Sequence, residues 1–236
     1  TGIIEVESAA ELFDVCIGMV YQRPPKGNRT VIVTNSGGPA ALASDSLAAN
    51  GMRLADLTPE TQAFLRSKLN PAAQVGNPVD MLGGAEPQEY ADALKVCLAD
   101  ANVDAALAIL TPQALVNPAD VGKVIGEIVA QTDKTVIASF VGGVSVSEAR
   151  HVLHGMQVPM YTFPEQAGKV MGVLRRFGAW RSKPEGILVT ALDGIDRKAA
   201  QNILAETKNQ PTLGEAHTRP LLAAYGIPIV PGEWVR

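Results

Sequence analysis

Thr30-Val-Ile-Val-Thr34 runs directly into Asn35-Ser-Gly-Gly-Pro39, and the reading of these residues decides the fold. The first five predict a short, almost wholly apolar strand, the kind found in a parallel sheet covered on both faces. The next five put paired glycines and a proline at the start of a helix that runs through Asn50 and closes on Gly51. Upstream, residues 8–20 read as a helix: Ser8 and Glu11 have capping-box spacing, and Leu12, Val15, Cys16 and Met19 share one face. Arg23-Pro-Pro-Lys-Gly-Asn28 then breaks the chain. Downstream, Met52-Arg-Leu54 reads as a brief strand and Thr58 caps a helix with proline in its first turn. Residues 70–84, with two prolines and three glycines, read as one long loop. Buried strands are expected at 105–110 and 135–140 and a short one at 159–161. Helices are expected at 87–99, 118–132, 145–154 (with Ser145 as its N-cap) and 164–179. Strands of five or six residues alternating with longer helices are the mark of βαβ units with right-handed crossovers. The expectation is an α/β, three-layer, flavodoxin-like (Rossmann-like) domain of about five mainly parallel strands, with a helical C-terminal extension.

The boundaries follow from the breaks in this pattern. Residues 1–27 form a helix and linker, 28–180 the sheet domain, 181–210 a connector, and 211–236 the opening of a further domain. The connector holds Ile187-Leu-Val-Thr190 and a helix near 197–208. An apolar fraction of 47% against 19% charged can fill a core and argues against disorder. The net charge of −4, without a basic cluster, argues against nucleic acid as a partner. No apolar run is long enough for a membrane span, and no secretory signal opens the chain. Cys16 and Cys97 have no metal-ligand spacing and are too few for a disulfide scaffold, which fits a reduced, cytoplasmic setting.

In an open parallel sheet, ligands collect outside the carboxyl ends of the strands. Asn35-Ser-Gly-Gly38, Asn77-Pro-Val-Asp80, Thr111-Pro-Gln113 and Gly142-Gly143 all belong at or near that edge. The first is the most informative. Gly37 and Gly38 permit close backbone approach, and the helix start offers free N–H groups and a positive dipole end to a phosphate. Asn35 and Ser36 add side-chain donors. The loop lacks both the Walker lysine and the GxGxxG spacing, so a tight turn for close helix packing explains it equally well. Asp80 reads first as a turn former and second as a residue that holds the phosphate loop or a partner domain. Thr111 and Gln113 either end a strand or orient a ligand. Gly142 and Gly143 read first as a plain turn before the next helix and second as another anion site. His151 and His154, three apart near a helix end, read as surface or cap residues, since no third metal ligand is evident. No nucleophile with an acid–base partner can be assembled, so no catalytic residue and no metal site are assigned.

The chain resembles the ADP-forming (NDP-forming) acyl-CoA synthetases, relatives of succinyl-CoA synthetase. The resemblance is carried by Glu11-Leu-Phe-Asp14, Pro25-Lys-Gly-Asn-Arg29, Thr34-Asn-Ser-Gly-Gly-Pro39, Gly76-Asn-Pro-Val-Asp80, Ile109-Leu-Thr-Pro-Gln113, Gly142-Gly143 and Leu222-Ala-Ala-Tyr-Gly-Ile-Pro228. It implies a flavodoxin-like CoA-ligase domain that follows a CoA-binding domain and a phosphohistidine-bearing domain, with an ATP-grasp domain opening near residue 211. It also implies interconversion of acyl-CoA, ADP and phosphate with acid, CoA and ATP through a phosphohistidine outside this chain. Asn35, Ser36, Gly37 and Gly38 would form the phosphate cradle; Asp80, Thr111, Gln113, Gly142 and Gly143 would support it. No cofactor would be bound tightly here. ATP or ADP, CoA and Mg would act in the full-length enzyme, and a homo-oligomer is compatible with the family. The alternative is a non-catalytic, ligand-sensing module of a synthetase-like protein fused to a protein acetyltransferase.

Overall fold

The computed structural model describes residues 2–114, 116–184, 186 and 194–232. The chain divides after Lys183 into two units. In the first, helix α1 (Ala9–Tyr21) precedes the sheet. Ser8 Oγ accepts from the Glu11 N–H at 3.1 Å, and Glu11 reaches back to the Glu7 N–H at 2.8 Å, one residue earlier than a standard capping box. The strands are β1 (Arg29–Thr34), β2 (Arg53–Leu54), β3 (Val79–Asp80), β4 (Ala105–Leu110), β5 (Thr135–Phe140) and β6 (Met160–Tyr161). The helices are α2 (Gly37–Ala49), α3 (Pro59–Lys68), α4 (Pro87–Ala99), α5 (Pro118–Val129), α6 (Ser147–Gly155) and α7 (Pro164–Arg181).

The sheet has six strands, not about five, in the order β2-β1-β4-β5-β6, with β3 also on β1; all these pairings are parallel. β2 and β3 divide one edge of β1 between them. β2 pairs with Arg29 and Thr30, and β3 with Val33 and Thr34. The Asn77 side chain fills the gap: its Oδ1 accepts from the Ile32 N–H at 3.0 Å, and its Nδ2 donates to the carbonyls of Thr30 (2.8 Å) and Ala55 (3.0 Å). A side-chain amide thus does the work of a missing peptide group. The expectation of one unbroken loop over 70–84 fails here, because β3 is only two residues long and sits in Pro/Gly-rich sequence. Ser145 is also not a helix cap. A short 3₁₀ turn occupies Val144–Val146, and α6 begins at Ser147.

Alternating strand residues fill two cores. Val31, Val33, Ala106, Ala108, Val136 and Phe140 pack under α3, α4, α5 and α6. Ile32, Leu107, Ile109 and Ile137 pack under α1, α2 and α7. Helices on both faces make the three-layer doubly wound architecture. α2 and α7 approach closely at Gly168 and Gly172, where a Cβ would stand 2.6 Å from Ser46 Oγ and 2.5 Å from Asn50 Cβ.

Two carboxylates pin the amino edge. Asp100 is buried, yet it accepts from the Thr58 N–H (2.8 Å), the Thr61 hydroxyl (2.7 Å) and the Asn102 N–H (2.8 Å). Burial pushes its pKa up, but these bonds outweigh burial and hold it below the ordinary value. Asp104 is lowered chiefly by the Arg29 guanidinium, which grips both its oxygens at 2.8 and 2.9 Å. Both folded pKa values lie below the unfolded ones. Their contribution is therefore complete above roughly pH 4 and is lost as pH falls through the lower folded values. Asp100→Ala is expected to cost about 1–3 kcal/mol in urea unfolding and to flatten the acid limb of stability against pH. An unchanged midpoint would show that these bonds add nothing.

The second unit holds α8 (Arg197–Glu206), capped by Asp196 Oδ1 on the Ala199 N–H at 2.9 Å, and α9 (Glu215–Ala224), which contains Pro220. Residues 187–190, read from sequence as part of the connector, lie outside the described residues.

Candidate phosphate-binding edge

β1 ends at Thr34, whose hydroxyl accepts from the Ser36 N–H and donates to the Ser36 carbonyl, both at 3.0 Å. This small ring turns the chain sharply into α2. Ser36 is the N-cap residue, but its own side chain makes no capping bond. Four N–H positions at a helix start lack intrahelical partners. Here Ser36 is served by Thr34, and Pro39 has no N–H. The amides of Gly37 and Gly38 remain, both exposed and without an acceptor among the described residues. They stand at the positive end of a 13-residue helix, an arrangement suited to an anion.

Asn35 serves a different purpose from the one its type first indicates. It is 3% exposed; its Oδ1 accepts from the Thr111 N–H at 2.9 Å and its Nδ2 donates to the Thr111 carbonyl at 2.8 Å. Its carboxamide ties the end of β1 to the end of β4. Asp80, ending β3, uses Oδ1 to accept from the Leu82 N–H at 3.0 Å. Its Oδ2 lies 3.2 Å from where a Cβ on Gly37 would stand. Gln113 lies over Gly83, with its amide 3.7 Å from that residue's absent Cβ. Pro112 stands 3.5 Å from the corresponding point on Gly142, while Gly143 opens onto free space. The structure thus links the four segments into one continuous rim. Gly37, Asp80, Asn35 and Thr111 lie at its centre, and Gln113, Gly142 and Gly143 at its margin.

Residue-type reasoning missed three contributors. Thr34 makes the turn, and Asn77 completes the sheet edge. Tyr90, fully buried, donates its hydroxyl to the Ile109 carbonyl at 2.9 Å. Burial, then the Asp80 charge, raises the Tyr90 pKa, while the Asn35 backbone amide opposes the shift, so Tyr90 stays a neutral donor. A threonine closing a strand just before paired glycines was the one available signal. His154 is edge-on to Tyr21 with ring centroids 5.6 Å apart, and His151 Nδ1 contacts the Ser147 carbonyl at 2.8 Å. Among the described residues no group of three or more His, Cys, Asp or Glu side chains is placed to hold a metal, and no helix is long and apolar enough to cross a membrane.

Sheet order, layers and the open carboxyl edge define a doubly wound parallel α/β protein with an anion-compatible helix start. Residues 30–183 match the family model of the Ligase-CoA domain, and the chain belongs to that family. It is 32% identical over 232 residues to an acetate–CoA ligase [ADP-forming] I of Archaeoglobus fulgidus, covering 98% of this chain and 33% of that protein. It is 34% identical over 170 residues to the alpha subunit of acetate–CoA ligase [ADP-forming] II of Pyrococcus furiosus, covering 70% of this chain and 37% of the subunit. A solved structure of the dinucleotide-forming acetyl-coenzyme A synthetase 1 of Ca. Korarchaeum cryptofilum, in complex with phosphate and ADP, superposes with a TM-score of 0.69 at 27% identity. That match covers 78% of this chain and 41% of that one. The chain therefore spans about a third of the length of the full-length curated relatives it matches.

Proposed function

We propose that this chain is the CoA-ligase segment of an ADP-forming acyl-CoA synthetase, and that the start of α2 receives a phosphoryl group from a histidine carried elsewhere in the same enzyme. The observation that carries the reading is the pair of unspent amides at Gly37 and Gly38, at the carboxyl edge of a Ligase-CoA domain whose curated relatives are ADP-forming CoA ligases. Donors already aimed at the transferring group stabilise its charge without reorganising during the reaction. Thr34 fixes the turn and Asn35 sets the height of the neighbouring loop. Asp80 holds the turn at Leu82, and Thr111, Gln113, Gly142 and Gly143 form the rim. The complete enzyme would interconvert acyl-CoA, ADP and phosphate with acid, CoA and ATP in the cytoplasm. Its CoA-binding, phosphohistidine-bearing and ATP-grasp domains would handle CoA, the histidine and the Mg-bound nucleotide, and the ATP-grasp domain would open near residue 211.

The division of labour has a direct test. This 236-residue chain, given ATP, CoA and acetate, is expected to make no acyl-CoA, whereas the complete synthetase should do so and should carry an acid-labile phosphoryl label. Turnover by the chain alone would overturn the proposal that the phosphoryl carrier lies elsewhere.

A further inference from the structure

The motif Pro25-Lys-Gly-Asn-Arg29 takes no part in the carboxyl edge, and most of it is accounted for inside the fold. Arg29 grips Asp104, Gly27 packs on the same carboxylate, and Asn28 Nδ2 donates to the Gly51 carbonyl at 3.4 Å. Lys26 is the exception. It is exposed, and it lines a groove of about 430 Å³ together with Pro24, Arg175, Gly178, Arg181 and Ser182. The groove lies at the amino edge, where β1 starts and α2 and α7 end, at the opposite end of the sheet from Gly37 and Gly38. Gly178 shapes it: a Cβ there would stand 2.6 Å from Pro24 Cβ, so the linker closes onto α7 and forms a wall. Arg175 enters from the α2 side, with Nη1 3.9 Å from where a Cβ on Gly51 would stand.

No carboxylate lines this groove, and among the described residues Lys26, Arg175 and Arg181 form no ion pair. Asp104, which touches Gly27, has both oxygens spent on Arg29. The chain as a whole carries −4, so the groove is a local concentration of the opposite sign. Clefts lined by one sign of charge gather the counter-ion. The dipole of α7 accounts for Arg181 alone, because that effect fades within the last turn and Arg175 stands before it. The carbonyls at this helix end are occupied: that of Gly178 accepts from the Ser182 N–H (3.0 Å) and hydroxyl (2.9 Å), and that of Trp180 from the Lys183 N–H (3.1 Å).

We propose that this groove binds a condensed phosphate chain, that of a nucleoside di- or triphosphate or its inorganic counterpart. Guanidinium forks match phosphate oxygens. Arg175 and Arg181 lie six residues apart on α7, about 9 Å along its axis, and Lys26 lines the groove from the linker. A lone phosphate engages such a row only in part, whereas linked phosphates carry charge along it. The site is separate from the start of α2 and does not depend on the function proposed above.

Titration calorimetry of this 236-residue chain with inorganic tripolyphosphate and with magnesium-free ATP tests the assignment. One saturable site is expected, weakening steeply as salt rises to about 0.15 M. Lys26→Ala and Arg175→Ala should each weaken it about tenfold, the scale of one charge-assisted hydrogen bond. Lys26→Glu should abolish it with unchanged circular dichroism, since Lys26 is exposed and makes no ion pair. Tighter binding of ATP than of tripolyphosphate assigns the site to a nucleotide; equal or weaker binding assigns it to the inorganic chain. Orthophosphate binding as tightly as tripolyphosphate overturns the proposal, because the row of cations is then not read. A polyglutamate peptide binding as tightly also overturns it and makes the groove a docking face for acidic protein. Binding kept in Lys26→Glu but lost in Gly38→Val moves the anion to the start of α2, and the lack of saturable binding by either probe removes the site altogether.

Discussion

Gly38→Val in the complete synthetase is expected to lower formation of the phosphorylated enzyme by about 10²–10³-fold, the loss typical of removing a preorganised oxyanion donor. The structure isolates this effect from folding. A Cβ at residue 38 would meet nothing within 4 Å, the residue is exposed, and it lies inside the first turn of α2. Valine there displaces no neighbour, and it is a better helix former than glycine by a few tenths of a kcal/mol. On the proposed reading, its branched side chain would stand in the open space beside residue 38 through which a phosphoryl oxygen would reach the Gly37 and Gly38 amides. Gly37 makes a poorer test, because its Cβ would come within 3.2 Å of Asp80 Oδ2 and would disturb the support as well as the cradle. The measurement is incorporation of labelled phosphate into protein of unchanged thermal midpoint. Full incorporation in such a variant would remove the start of α2 from the reaction.

Parts of this arrangement were legible in the residues. β4 is six apolar residues in a row, and β1 and β5 each hold a run of three apolar residues or more with threonine or serine as the main interruption, so their burial on both faces follows from composition. The capped helix starts at Ser8, Thr58 and Asn117 follow from side chains that accept a backbone N–H locally. β3 was not legible. Two residues carry no periodicity, and the pairing is specified from a distance by β1 and by the Asn77 amide. The start of α6 was misplaced for a related reason. Val146 is buried and draws the chain into a 3₁₀ turn before the helix, which Ser145 alone would not indicate. At the site, the paired glycines announced themselves as a place of close approach. Asn35 did not disclose its role: a polar residue beside a glycine pair looks like a ligand donor, and only its distance from Thr111, 76 residues away, shows where its amide is spent.

That reassignment makes Asn35→Ala the decisive stability experiment. The substitution leaves the Thr111 N–H and carbonyl without their side-chain partners at a position only 3% exposed in the native protein. Asn35 is buried and Thr111 partly so, and losing both bonds together costs about 2–4 kcal/mol. In a unit of this size that lowers the thermal midpoint by about 5–15 °C. The consequence reaches the site through geometry. Without the tie, the β1 and β4 loops are held only by the sheet below them, and the Tyr90 bond to Ile109 becomes the nearest side-chain restraint on the end of β4. A role for Asn35 in binding the phosphoryl group directly predicts the reverse pattern, a large loss of labelled-phosphate incorporation at an unchanged midpoint. A folded variant that melts with the native protein would therefore return Asn35 to the cradle. On the proposed reading, the expected drop in midpoint leaves binding to two backbone amides, which a bulky neighbour can block and only a proline substitution can delete.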